Sequence, residues 1–159
     1  MSDITGIDQS YHLDANIEVG KFTCLVPTAV NYPDGCSVPT GANVPCLGVA
    51  QESILPDSMT DYSGGVYTLT SGTAWPAGAV PSSGLGRNIR TRLFGISRLV
   101  ASGAISRGAQ VNIANVSGQV KAVSETATLI NVVGTAIDAA INAGDVIRVL
   151  VNPFSYYHN

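Results

Sequence analysis

Charge is scarce in this chain: Asp, Glu, Lys and Arg supply 12% of its 159 residues, about half the share of an average globular protein. With 45% hydrophobic residues beside so little charge, disorder is excluded, because enough apolar surface is available to offset the ordering of the chain. The length suits one domain with a sizeable core. Histidine is scarcer still: His12 and His158 stand near opposite ends, so a Ser-His-Asp arrangement has no well-placed base. No G-x-S-x-G, H-E-x-x-H or Walker loop occurs. Gly84-Leu85-Gly86 supplies only the first two glycines of a dinucleotide fingerprint, with no helical pattern after it. These absences argue against an enzyme and against a bound cofactor.

Cys24, Cys36 and Cys46 are odd in number and contain no C-x-x-C pair, which leaves neither a disulfide framework nor the ligand spacing of a zinc ribbon. Reduced thiols follow, with Cys24 a small core hydrophobe, as in a protein assembled in cytoplasm. A zinc site made by the three cysteines with His12 is the remaining metal alternative, and no metal is expected. Long apolar runs are also missing: nothing approaches the roughly 18 residues that span a bilayer. Met1 to Thr5 has neither a basic segment nor an apolar signal core. The expectation is a soluble chain, not exported and not bound to a membrane.

What the chain does have is glycine, 17 of them, with abundant Ser, Thr and Ala. That mixture favours short strands joined by tight turns, hence an all-β domain, a compact barrel or sandwich with long loops. The charge that exists is unevenly placed. Residues 1–61 hold eight acids against Lys21 alone, whereas the remainder holds three acids against seven bases, five of them between Arg87 and Arg107. A bipolar chain suits head-to-tail or subunit-to-lattice contacts. Nucleic acid is not an expected partner, because the whole chain is acidic and no aromatic motif interleaves with the arginines.

Residues 1–16 lack a clear period and read as an N-terminal arm, followed by a single β-rich domain over 17–159. Ile17 to Val26 alternates as a first strand with a bulge at Gly20. Residues 27–45 carry four of the eight prolines and form a turn-dense excursion. Leu47 to Glu52 returns as a strand. A second excursion, 53–88, is rich in Ser, Gly, Thr and Pro, with a strand at Gly65 to Thr70. Asn88 to Ala101 is the longest strand, and it places Arg90, Arg92 and Arg98 on the same face as Phe94, Ile96 and Val100. A face of that kind is either bent at Gly95 or a subunit contact. Ala109 to Ala114 and Gln119 to Val123 form a hairpin about Ser117-Gly118, and Val132 to Val151 reads as strand, turn, strand. The tail Asn152 to Asn159 is too aromatic for a solvated linker.

An internal repeat is present. Ala104-Ile105-x-x-Gly108-x-x-Val111 matches Ala140-Ile141-x-x-Gly144-x-x-Ile147 at an offset of 36, and Phe94-Gly95-Ile96-Ser97 parallels Val133-Gly134-Thr135-Ala136. The repeat predicts two related β-turn-β units in one closed or sandwiched sheet. Other features carry less. Glu52, Asp57 and Asp61 could pair as glycosidase carboxylates, but acids on Ser/Thr/Gly loops are mostly solvated. Asn115-Val116-Ser117 is a formal sequon that reads as a turn. Tyr62, Tyr67 and Trp75 suggest an alternative class, a carbohydrate-binding or adhesin-like β-domain.

Ala15 to Thr23, Leu47-Gly48-Val49-Ala50-Gln51-Glu52, Leu93 to Ser97, Gly103 to Ala122, and Val133 to Asp138 with Gly144 to Leu150 together resemble the tailed-phage capsid cement, or head decoration, proteins. The resemblance covers roughly three fifths of the chain; the excursions 27–45 and 53–88 depart from it. It implies a non-enzymatic virion protein, made in the host cytoplasm, that binds the outer surface of an expanded phage head. There it would bridge major capsid protein subunits, as a homo-oligomer, most simply a trimer. Within that reading Tyr11, His12, Asp14, Phe154, Tyr156 and Tyr157 are the candidate capsid contacts. Arg90, Arg92 and Arg98 are the candidate subunit contacts.

Overall fold

The structure, a computed structural model, describes residues 6–28, 30, 32–54, 58–60, 66–68, 73–74, 88–124, 126 and 129–158. Among them every regular element is a strand: β1 (Ile7–Leu13), β2 (Ala15–Asn16), β3 (Cys24–Pro27), β4 (Gly35–Ser37), β5 (Gly48–Ala50), β6 (Ser58–Thr60), β7 (Val66–Thr68), β8 (Thr73–Ala74), β9 (Asn88–Val100), β10 (Gln110–Ile113), β11 (Val120–Ala122), β12 (Leu129–Ala136) and β13 (Val146–Tyr157). The all-β expectation holds, as a closed barrel with extra strands.

β9 is the hub. Its 13 residues alternate, burying Ile89, Thr91, Ser97 and Leu99 and turning Arg90, Phe94 and Arg98 outward, as a period of two requires. One edge of β9 is divided between two antiparallel partners. β1 occupies it from Asn88 to Phe94, and β13 takes over from Gly95 to Val100. The opposite edge receives β5 at Thr91 and Arg92, then Phe22, whose carbonyl accepts from the Val100 amide at 3.1 Å. The order β1-β4-β3-β5-β9 therefore closes on itself, with only the β1–β4 pairing parallel. Beyond β9 the antiparallel run β13-β12-β10-β11 forms a second lobe. It bends back so that Val120 bridges Ala101 and the Gly118 carbonyl accepts from Cys24 N at 2.8 Å.

Two cores result, separated by β3 and β5. Leu25 and Ala50 face the smaller, with Leu13, Ile17, Val19, Cys36 and Ile89. Cys24, Val26 and Val49 face the larger, with Leu99, Val111, Ile113, Val120, Val133, Ile147, Val149 and Val151 among others. Each fully buried Val, Leu or Ile contributes roughly 1.5–3 kcal/mol, so a one-residue slip of β3 or β5 would exchange the two sets and is strongly disfavoured.

The repeat at offset 36 is physically realised. The turn after β9 and the turn between β12 and β13 pack on each other. Ile105 N donates to Ala140 O at 3.0 Å and Ala140 N returns a bond to Ile105 O at 2.9 Å. Gly108 N donates to Ala136 O, and its counterpart Gly144 N to Ala101 O, both at 2.8 Å. Those two glycines have φ of +82° and +91°, a region that side chains disfavour, which is why the repeat keeps glycine there.

Four expectations are corrected. Residues 7–13 are not an arm: β1 closes the barrel, and Leu13, fully buried, sits in the smaller core. Only Tyr11 and Leu13 turn toward the core, and the polar run Asp8-Gln9-Ser10 before them leaves no period of two in the sequence. The strand sought over 17–26 is shorter, because Phe22 takes a positive φ of 65° and the chain turns at Lys21-Phe22 before β3. The excursions contain more sheet than expected: β4 lies in the first, and in the second β6 and β8 join β7, which falls within the strand expected at Gly65 to Thr70, with β8 pairing β2. The last strand does not end at Val151: β13 continues to Tyr157 and takes in the aromatic tail.

Candidate functional site

The outward face of β9 and β13 joins residues 50 positions apart in sequence. Across the pair, Val146 lies opposite Val100, Arg148 opposite Arg98, and Leu150 opposite Ile96; Ile7 of β1 lies beside Phe94. Ile7 (62% exposed), Phe94 (47%), Val146 (53%) and Leu150 (42%) form an apolar row on this face. Of the three arginines expected to contact subunits, Arg92 is committed within the chain. Its Nε meets Asp8 Oδ1 at 2.5 Å and its Nη1 donates to Ile96 O at 2.5 Å, and the guanidinium holds the Asp8 carboxyl below its ordinary value. Arg90 and Arg98 remain exposed. The Arg98 guanidinium lies 5.9 Å from the Phe22 ring centroid, and Arg148 is clamped by Asp138 through two 2.8 Å bonds. The Arg148 pair pulls the Asp138 carboxyl down to about 2.

The second group sits at the end of β1. The His12 ring stacks on Tyr32 at 4.7 Å between centroids, and its Nδ1 lies 2.9 Å from Asp34 Oδ1. Tyr11 is half-buried against the smaller core. Asp14 is no contact residue. It is 5% exposed, and its carboxylate accepts from Thr28 Oγ1, Val30 N and Tyr32 N, fastening the turn before β4. A buried carboxylate ringed by donors is a structural anchor. Sequence reasoning missed Tyr32 and Asp34 as the partners of His12, since 20 or more residues separate them and only the parallel β1–β4 pairing brings them together.

The third group is the end of β13. Gly134 pairs Val151 and Val132 pairs Phe154, so Asn152 and Pro153 together face Val133, a bulge. Proline has no amide to give a ladder and is tolerated at such a place. Beyond it β13 leaves β9 and pairs only with β12 among the described strands. Phe154 and Tyr156 stack at 6.1 Å, while Tyr157, 73% exposed, lies across from Leu129, 40% exposed. Asn43, reaching in from the 27–45 excursion, holds the base of this ribbon. It donates through Nδ2 to Leu129 O and accepts through Oδ1 from Asn131 N, both at 2.9 Å. Ser155 Oγ donates to Asn131 Oδ1 at 2.6 Å.

This geometry can be set beside known proteins. No protein-family description and no curated protein matches the chain. Solved structures do. The chain is similar in fold to the N base of head fiber gp8.5 in bacteriophage phi29, with a TM-score of 0.57, covering 93% of this chain and 95% of that one. Sequence identity with the fibre base is 11%, so the likeness is one of architecture, and the three side-chain groups above are this chain's own.

The cysteines belong to the cores rather than to a surface. Cys24 and Cys36 are buried in the larger and the smaller core, and Cys46 packs against the larger. Burial, with the nearby Asp14 and Asp34 charges, pushes the Cys36 thiol up to about 12, which makes it a poor nucleophile and a poor ligand. Trp75 and Tyr62 lie outside the described residues, as does the side chain of Tyr67. What the described surface offers is contact area: an apolar row crossed by Arg98 and Arg148 and an aromatic strand end with an open edge.

Proposed function

We propose that the chain is a non-enzymatic phage head protein, a decoration or cement protein that sits on the outer surface of the expanded shell as a homo-oligomer, most simply a trimer, and ties neighbouring major capsid subunits together. The observation that carries this reading is the fold likeness to a phage head-fibre base over nearly the whole of both chains. The sequence resemblance to cement proteins points the same way. The end of β13 is the shell-binding element. Its open edge from Asn152 to Tyr157 can accept an extended capsid segment through main-chain hydrogen bonds, and Phe154, Tyr156 and Tyr157 supply anchors of the kind that dominate interfaces. An oligomer making several such contacts gains by multivalency, because each contact after the first is intramolecular.

The test is addition of the purified protein to expanded, undecorated heads, followed by cryo-electron microscopy. Density on the outer surface is expected, with occupancy falling at least about tenfold for the Tyr156→Ala/Tyr157→Ala double variant. Bare heads after incubation with folded wild-type protein would defeat the proposal. Deleting residues 1–16 is no substitute, since that removes β1 and Leu13 from the barrel.

A further inference from the structure

We infer that the outward face of β9 and β13 is the seat of a second copy of this chain, bound head to tail through the acidic N-terminal segment, residues 1–61, of that copy. The inference rests on the homo-oligomeric part of the function proposed above and assigns it a surface and a polarity. Ile7, Phe94, Val146 and Leu150, all more than two fifths exposed, line one strand-paired face that runs about 20 Å from Val100 to Phe94 at roughly 3.3 Å per residue. Large apolar side chains gathered on one face, rather than scattered singly, mark a contact surface.

Charge decides the occupant. Arg98 and Arg148 stand directly opposite each other in the middle of the row, an arrangement that is destabilising between like charges. Asp138 compensates Arg148. Arg98 has an aromatic ring beside it but no carboxylate among the described residues, and Arg90 at the end of the row likewise forms no side-chain ion pair there. A basic, apolar face meeting its own image across a two-fold axis would set arginine against arginine, so an isologous contact is disfavoured. Complementary charge exists on the same chain: residues 1–61 carry eight acids and one base, of which Glu18 and Asp34 are exposed in the fold, whereas Glu52 accepts from the Arg90 amide at 2.7 Å and belongs to the basic strand's own surroundings. Positive face to negative segment is a heterologous contact, and a heterologous contact that closes makes a ring.

The experiment is sedimentation of the full chain at low and high salt, with Arg98→Glu, Arg98→Lys and Val146→Asp, each paired with chemical denaturation and with head occupancy. The wild type should self-associate, less so as salt rises. Arg98→Glu should weaken association by at least about tenfold, yet leave the monomer no less stable, because glutamate opposite Arg148 replaces a like-charge pair; Arg98→Lys should keep association. Val146→Asp should also dissociate the oligomer while remaining folded. A monomeric wild type, or an Arg98→Glu protein that associates like the wild type, overturns the inference. So does a monomer whose head binding is lost on Arg98→Glu, since the shell then covers this face. Retained self-association with bare heads would overturn the decoration reading and leave this one standing.

Discussion

Asp14 and Gly35 form a pair whose coupling can be measured directly. The Asp14 carboxylate accepts from Thr28 Oγ1, Val30 N and Tyr32 N, and the backbone of Gly35 passes so close that an added Cβ would overlap the carboxylate oxygens and Cγ. Asp14→Ala strands three donors. At about 1 kcal/mol for each, the lower range because Thr28 and Tyr32 are only partly buried and Val30 is exposed, the loss is about 3 kcal/mol. For a chain of this size that is a fall in Tm of roughly 6–12 °C. Gly35→Ala alone should be destabilising through the overlap. In the Asp14→Ala background the obstructing atoms are gone, so Gly35→Ala should cost at least about 1 kcal/mol less there than in the wild type. Urea unfolding of the four proteins gives the cycle. An additive cycle, or an Asp14→Ala protein as stable as the wild type but unable to bind heads, would refute the assignment of Asp14 as an internal anchor.

Gly134→Ala should unfold or severely destabilise the protein, by about 3 kcal/mol or more. Its Cβ would press on the carbonyl of Leu150 and the Cα of Val151, backbone atoms of β13 that cannot rotate away; far-ultraviolet dichroism and urea melts report it. Acid should loosen the turn between β12 and β13. Asp138 is held at about 2 against an ordinary 3.8, so its contribution is fully present above the ordinary value and fades as pH falls through the lowered one. Asp8 and Asp145 are shifted in the same direction. The urea midpoint should therefore drop over that interval, and Arg148→Gln should flatten the drop; a midpoint independent of pH there would contradict the Asp138–Arg148 clamp.

The fold class, the long strand β9 and the doubled turn were legible because each leaves a local mark: a period of two, a Gly/Ala/Ser-rich composition, and glycine at the same place in both copies. The closing of the barrel was not. β1 is seven residues whose outward end is polar and whose buried end is a single Leu13, and no sequence period distinguishes that from a solvated arm. Its partners are β9, some 80 residues away, and β4 in parallel, a register that only the folded chain supplies. The site divided in the same way. Arg90 and Arg98 lie on an exposed face as their parity requires. Arg92, with the same parity, is removed from that face by Asp8, which sequence could not pair with it. Asp14 was misread for a related reason: an acid in a polar stretch looks solvated until Val30 and Tyr32 are seen to point their amides at it.

One irregularity ties the barrel to its exposed surfaces. β9 has a single edge for two partners, and the exchange from β1 to β13 falls between Phe94 and Gly95, where Gly95 has φ of 106°. On β13 the same place is marked by the Asn152-Pro153 bulge, which ends pairing to β9 at Val151. Had β13 continued straight, it would have displaced β1 from β9 and opened the smaller core. Because it turns away, the barrel closes and the last six residues of β13 are left with one edge uncovered by any described strand. The open edge and the closed barrel are thus two results of one choice, and Pro153 fits it because a missing amide is harmless at a bulge, where the ladder to β12 is interrupted. A chain that must present a strand to a partner without exposing its own core has, in this bulge, a local way of doing both.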